Sequence, residues 1–187
     1  MFKAWPKIPR LKDEVYYITE KIDGTNAAII IQNLTNLPEE KLESPLSTYS
    51  LDGITYCIWA QSRTRLITPE DDNFGFAKWV KENAEQLIKD LGEGYHYGEW
   101  WGNGIQRGYG LDHKRFSLFN LTKHSEICDN VPYLCKSFDE CLIIDINLWK
   151  KELQLKGSYA VPGYMKPEGM VVYAEKAKAY WKVIIDK

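Results

Sequence analysis

Apolar positions along this chain fall into short runs between turn residues more often than into long amphipathic stretches. Asn26–Gln32, Ile54–Ala60, Tyr95–Trp100, Phe116–Leu121, Gly169–Tyr173 and Trp181–Ile185 are rich in β-branched or aromatic residues and read as strands. A further β-rich segment covers Val15–Ile18. From residue 33 to 53 the chain turns polar, contains Pro38 and Pro45 and closes on Asp52-Gly53, the pattern of an inserted surface loop or hairpin extension.

One long helix is predicted where Ala77, Val80, Ala84, Leu87, Ile88 and Leu91 recur at helical spacing. Glu70, Asp71 and Asp72 crowd its start and Gly92 follows its end. A second helix falls within Phe138–Lys156, although Leu142–Ile146 suits a strand equally. Helices set between antiparallel strands give an α+β architecture. No internal repeat or linker divides the sequence, so a single domain over residues 1–187 is expected.

Composition supports a packed core: 44% of the residues are hydrophobic and 13% aromatic, too many for a disordered chain. No stretch approaches the roughly 18 apolar residues of a membrane span, and Met1–Pro6 lacks the apolar run of a secretory signal. A soluble, cytoplasmic protein is expected. Cys57, Cys128, Cys135 and Cys141 form no C-x-x-C pair. His124 with Cys128, Cys135 and Cys141 has the wrong spacing for a zinc ribbon, and free thiols are the better reading. The net charge of −2 hides a segregation, because residues 33–53 carry −3 and residues 70–93 carry −4, leaving +5 elsewhere. Lys3, Lys7, Arg10 and Lys12 begin that basic remainder, a modest surface for a polyanion.

The stretch Thr19-Glu-Lys-Ile-Asp-Gly-Thr-Asn26 is the most informative. In an extended segment Lys21 and Asp23 share a face, and Gly24 lets the backbone turn closely beside a ligand. A lysine whose charge is destabilised by burial or by neighbouring cations can act as a nucleophile. Taken alone, Lys-x-Asp-Gly equally describes a strand-end turn with solvated side chains.

Further elements follow in order: Gln61-Ser-Arg-Thr64, Tyr97-Gly-Glu-Trp-Trp-Gly102, Gly104-Ile-Gln-Arg107, Arg115-Phe-Ser-Leu-Phe-Asn120, Pro167-Glu-Gly-Met-Val-Val172 and Tyr180-Trp-Lys-Val-Ile-Ile185. Together they resemble the covalent nucleotidyltransferases, the superfamily of polynucleotide ligases and messenger-RNA capping enzymes, and most closely the phage RNA ligase 2 family. The resemblance runs from about residue 3 to the C-terminus, omitting 33–53 and the middle of 122–156.

It implies an adenylation domain using ATP and Mg²⁺ (or Mn²⁺), in which Lys21 becomes covalently attached to AMP. Glu20, Gly24 and Asn26 belong to the same nucleotide-binding stretch. Arg63 matches the arginine that contacts the nucleotide and the incoming 5′-phosphate, Glu99 the ribose carboxylate, and Phe119 the ring that stacks on adenine. Glu168 takes a role with the metal and Lys182 contacts phosphate. The implied substrate is RNA with 5′-phosphate and 3′-hydroxyl ends, sealed by a monomer.

The residue chemistry leaves alternatives at several of these positions. Phe116 competes with Phe119 for the stacking role, either ring also suits an apolar core, and Arg65 can share the task of Arg63. Asp23 can orient Lys21 or bind metal through water. Trp100, Trp101, Trp149 and Trp181 read as core or rim.

The resemblance has departures. The last motif of the family carries two lysines, whereas Ile184 stands two positions after Lys182, which leaves Lys178 or Lys187 as substitutes. The sequence ends about five residues beyond Lys182, so no C-terminal OB or helical domain is expected. Lys-Ile-Asp-Gly also suits a minimal DNA ligase, while a GTP-using capping enzyme fits less well. A non-catalytic nucleotide- or RNA-binding module is the rival of another class.

Overall fold

The computed structural model describes residues 11–36, 44–121 and 127–185. Lys3, Lys7, Arg10, Glu39, Glu40, Lys41, Glu43, His124 and Lys187 lie outside those ranges. The chain divides into two compact units, one made of the residues up to Ile22 together with those from Pro132 onward, the other of Asp23–Val131.

The first unit is built on β1 (Val15–Lys21), β9 (Tyr133–Phe138), β10 (Gly169–Ala174) and β11 (Ala179–Ile184), with α3 (Leu142–Lys156) packed on one face. Strand order is β11-β10-β1-β9 and every pairing is antiparallel. Tyr16 and Ile18 of β1 and Met170, Val172 and Ala174 of β10 alternate onto the α3 side. Leu142, Ile146, Trp149 and Leu153 meet them from α3 at helical spacing, and Leu153 is fully buried. Residues 142–146 are therefore helical, which resolves the strand alternative: Leu142 and Ile146, one turn apart, face the sheet, while Ile143 and Ile144 are exposed.

The second unit carries a seven-stranded sheet. Its main path is β3 (Ser47–Leu51), β4 (Ile54–Ser62), β2 (Thr25–Asn33), β6 (Gly94–Gly102), β7 (Lys114–Leu118) and β8 (Asp129–Asn130), and β5 (Leu66–Ile67) pairs with β4. Central β2 is apolar on both faces. Ala27, Ile29 and Ile31 join the main core, and Ile30 packs with Cys57 and Trp59 on the other side. The insert ends in a β3–β4 hairpin whose two-residue turn, Asp52-Gly53, has both residues at positive φ (50° and 79°).

The single long helix predicted over the apolar repeat is two helices, α1 (Phe76–Glu82) and α2 (Ala84–Leu91). The break falls at Asn83, whose side-chain Nδ2 donates to the Trp79 carbonyl at 2.8 Å beside its own backbone N–H at 3.0 Å. The apolar spacing survives the break, so Phe76, Ala77, Val80, Ala84, Leu87, Ile88 and Leu91 all enter one core. The acids before the helix have a local use. The Asp72 carboxylate accepts from the backbone N–H groups of Asn73, Ala77 and Lys78. Strand β7 stops at Leu118, short of the predicted Leu121, and Phe119 follows it with one backbone bond to β6.

Among the described residues, no helix is long and apolar enough to cross a membrane. Cys57 and Cys128 are buried, Cys135 is half-buried and Cys141 is exposed.

Candidate active site

Strand β1 delivers Lys21 as its last residue, with Gly169 of β10 directly opposite. The absence of a side chain there leaves the backbone of Val183 and Ile184 against Gly169. The Lys21 ammonium donates to Glu168 Oε2 at 2.7 Å, with both side chains mostly covered. Lys182 lies on β11 opposite Val171, which is opposite Thr19. Alternation therefore places Lys182 on the same face of the sheet as Lys21. Lys182 is exposed.

Glu20, one residue before the lysine, points to the opposite face and is 1% exposed. Its Oε2 accepts from the backbone N–H groups of Tyr159 at 2.7 Å and Ala160 at 3.0 Å, pinning the segment after α3 to the strand that ends in Lys21. Burial pushes the Glu20 carboxyl above the usual range, against the opposing pull of the Ser158 side chain and the two amides. Its carboxylate thus serves the interior of the unit.

Strand β1 ends at Lys21, so the alternation expected to align Lys21 with Asp23 does not extend that far: Ile22–Gly24 is irregular. The Asp23 N–H donates to Tyr109 Oη at 2.9 Å, and its carboxylate accepts from Arg107 Nε at 2.8 Å. Both partners come from the turn after β6, where Gly104, Gln106, Gly108 and Tyr109 take positive φ. Gly24 sits against the next strand so closely that a Cβ would stand 2.5 Å from the Trp100 carbonyl oxygen and 2.7 Å from Trp101 Cβ.

Register then aligns Asn26 of β2 with Glu99 of β6. Glu99, 7% exposed, accepts from Gly24 N–H at 3.1 Å and from Asn26 Nδ2 at 3.3 Å. Those bonds hold the carboxylate in one orientation.

Of the two candidate rings, Phe116 is 1% exposed inside the core against Phe76 and Trp79, whereas Phe119 is 40% exposed. The Phe119 N–H is fixed by the Tyr97 carbonyl at 3.0 Å. Trp100 and Trp101 are core. Arg63 and Arg65 lie in the turn between β4 and β5. Arg65 is committed to the Asp71 carboxylate at 2.6 Å, and Arg63 is exposed.

The motifs mark Lys21, Asp23, Glu99, Phe119, Glu168 and Lys182, whereas Arg107, Tyr109 and the 158–160 segment acquire their roles only in the folded chain. Arg107 closes the ordered element Gly104-Ile-Gln-Arg107, but nothing in the sequence brings positions 23 and 107 together. Among the described residues, no group of three or more His, Cys, Asp or Glu side chains converges to hold a metal.

The sequence model of the RNA ligase family matches residues 14–184. No curated protein sequence matches the chain. Among solved structures, a variant of the Naegleria gruberi RNA ligase with ATP and Mn is similar with a TM-score of 0.55 and 16% identity, covering 94% of this chain and 51% of that one. An apo form of another variant of that ligase gives a TM-score of 0.50 and 17% identity, covering 93% and 50%. The chain thus spans about half the length of these ligases, and at such identity the likeness establishes a common fold. The family match covers both units and every motif from Lys21 to Lys182, and on it the chain belongs to the RNA ligase family.

Proposed function

We propose that this chain carries the adenylating chemistry of an ATP-dependent RNA ligase, with Lys21 as the nucleophile. The observation that carries the proposal is the Lys21 amine at a strand end, hydrogen-bonded to Glu168 and on the same face as Lys182. That the Naegleria structure contains ATP and Mn supports a nucleoside triphosphate and a divalent ion as the reaction partners.

In the first step Lys21 Nζ attacks the α-phosphorus of ATP. A P–N bond forms, the bond to the bridging oxygen breaks, and pyrophosphate leaves. Nζ must shed a proton to attack, and Glu168 is the base within hydrogen-bond reach at 2.7 Å. Negative charge grows on the phosphate oxygens, and Lys182 and Arg63 are the cations assigned to it. Glu99, already held by Gly24 and Asn26, receives the ribose hydroxyls, and Phe119 offers its exposed ring to adenine.

The donor set suits a Mg²⁺ or Mn²⁺ ion that arrives on the triphosphate. One carboxylate, Glu168, would hold such an ion, with phosphate and water completing the shell. When bound, the ion screens charge on the phosphates.

In the second step an oxygen of an RNA 5′-phosphate attacks the adenylate phosphorus, and the P–N bond to Lys21 breaks. In the third, a 3′-hydroxyl attacks the activated 5′-phosphate, the strand closes and AMP leaves. Parallel assays with ATP on nicked RNA, single-stranded RNA and nicked DNA, each carrying a 5′-phosphate, test the reading. Sealing of an RNA substrate supports it. Sealing of DNA alone assigns the chain to DNA repair, and adenylate formation with no sealing restricts it to the first step.

A further inference from the structure

The face of the β11-β10-β1-β9 sheet that carries Lys21 also carries an aromatic row. Register sets Lys136, Tyr17, Tyr173 and Tyr180 directly opposite one another across all four strands. The next row is Tyr133, Thr19, Val171 and Lys182, and the one after it is Lys21, Gly169 and Ile184. These rows contain no acidic residue. Tyr173 and Tyr180 stack with ring centroids 4.5 Å apart, and Tyr17 lies 6.4 Å from Tyr173 and 6.5 Å from Tyr133.

The rings are not sealed in a core, since Tyr180 is 67% exposed and Tyr133 50%. Lys136 Nζ stands 5.3 Å from the Tyr17 centroid and Lys178 Nζ 6.0 Å from that of Tyr173. The hairpin bearing Tyr173 and Tyr180 is held by Glu14, whose carboxylate accepts from the N–H groups of Lys176 and Ala177.

A sheet face whose exposed Tyr133 and Tyr180 flank half-buried Tyr17 and Tyr173, with lysines interleaved, matches a ligand that alternates flat rings with negative charge. Unpaired nucleotides are that ligand, since bases stack on aromatic side chains while lysines neutralise the phosphates. Paired bases in a duplex cover one another and present no free ring face. We propose that this tyrosine row binds an unpaired stretch of RNA and directs it along the sheet toward Lys21, about 13 Å from Tyr17 at strand spacing. The proposal rests on the RNA ligase reading and names the surface that grips the substrate.

The test uses the full chain and a fluorescent, 5′-phosphorylated single-stranded oligoribonucleotide, with affinity read by polarisation in the absence of ATP. The variants are Tyr180→Ala, Tyr133→Ala, Lys136→Glu and the control Tyr180→Phe. Both alanine variants are expected to bind about tenfold more weakly, Lys136→Glu to flatten the dependence on salt, and Tyr180→Phe to bind like wild type. Lysyl-AMP formation from ATP should stay within about twofold in all four, which also certifies their folding. Wild-type affinity in both alanine variants overturns the proposal, as does an RNA affinity of zero in the wild-type chain. A change of oligomeric state at unchanged affinity overturns it in favour of a second copy on this face. Absence of lysyl-AMP in wild type, with RNA binding still lost in Tyr180→Ala, refutes the ligase reading and leaves the row standing.

Discussion

Lys21 and Glu168, 147 positions apart in the sequence, meet in a 2.7 Å hydrogen bond where β1 ends opposite the start of β10. In the proposed chemistry the pairing gives Glu168 two uses: it orients the amine, and it accepts the proton the amine must lose. Glu168→Gln keeps a hydrogen-bonding group but removes the base. Its formation of lysyl-AMP should fall by about two orders of magnitude, while stability changes by only about 1–3 kcal/mol. Rapid-quench adenylation and thermal melting measure the two quantities. Wild-type adenylation in Glu168→Gln would remove the carboxylate from the chemistry.

Glu20 should leave a signature in the pH dependence of stability. Burial lifts its carboxyl, so the folded chain binds that proton more tightly than the unfolded one. The associated stabilisation is complete below the unfolded value of about 4.3 and is lost as pH rises through the folded value. Glu20→Gln is always neutral and escapes this loss. Its Tm relative to wild type should therefore improve as pH rises above about 4.3 and then level off. A Tm difference independent of pH would show that Glu20 titrates alike in both states.

Asp23 and Arg107 are partly exposed, at 27% and 23% for their side chains, so their ion pair is worth less than a buried one. A double-mutant cycle with Asp23→Asn and Arg107→Gln should give a coupling of about 1 kcal/mol. If Asp23 acts by fixing the segment after Lys21, the two single variants slow adenylation alike and the double variant is no worse. A severe defect confined to Asp23→Asn would instead assign the carboxylate a direct role in the reaction.

The two phenylalanines near the end of β7 separate binding from folding. Phe119→Ala should weaken ATP binding by about 1–3 kcal/mol, the worth of one ring on a base, with little change in Tm. Phe116→Ala, which empties a site in the core, should cost about 3–5 kcal/mol of stability. Titration calorimetry and chemical denaturation on both variants decide it. A stability loss in Phe119→Ala as large as that in Phe116→Ala would make its ring a core element.

The strands around the motifs were legible because they are apolar runs cut by turn residues, and Asp52-Gly53 encoded its hairpin outright. The motifs themselves carried Lys21, Glu99, Glu168 and Lys182, since each is a local pattern. What stayed hidden depends on side chains competing with local periodicity or on distant pairing. Asn83 divides a helix whose apolar spacing runs through it without interruption. Arg65 belongs to Asp71 across the short strand β5, and Asp23 to Arg107 and Tyr109 through a turn whose shape is set by positive φ at Gly104 and its neighbours. The period-2 reading of Lys21 and Asp23 failed because the strand stops between them. The tyrosine row became visible only once register aligned three strands.

The most direct test of the account is incubation of the chain with α-labelled ATP and Mg²⁺ followed by denaturing electrophoresis. With Lys21 as the nucleophile, a label stays with the wild-type polypeptide, is absent from Lys21→Ala, and leaves on adding pyrophosphate. No covalent label in wild type, or an undiminished label in Lys21→Ala, would contradict it.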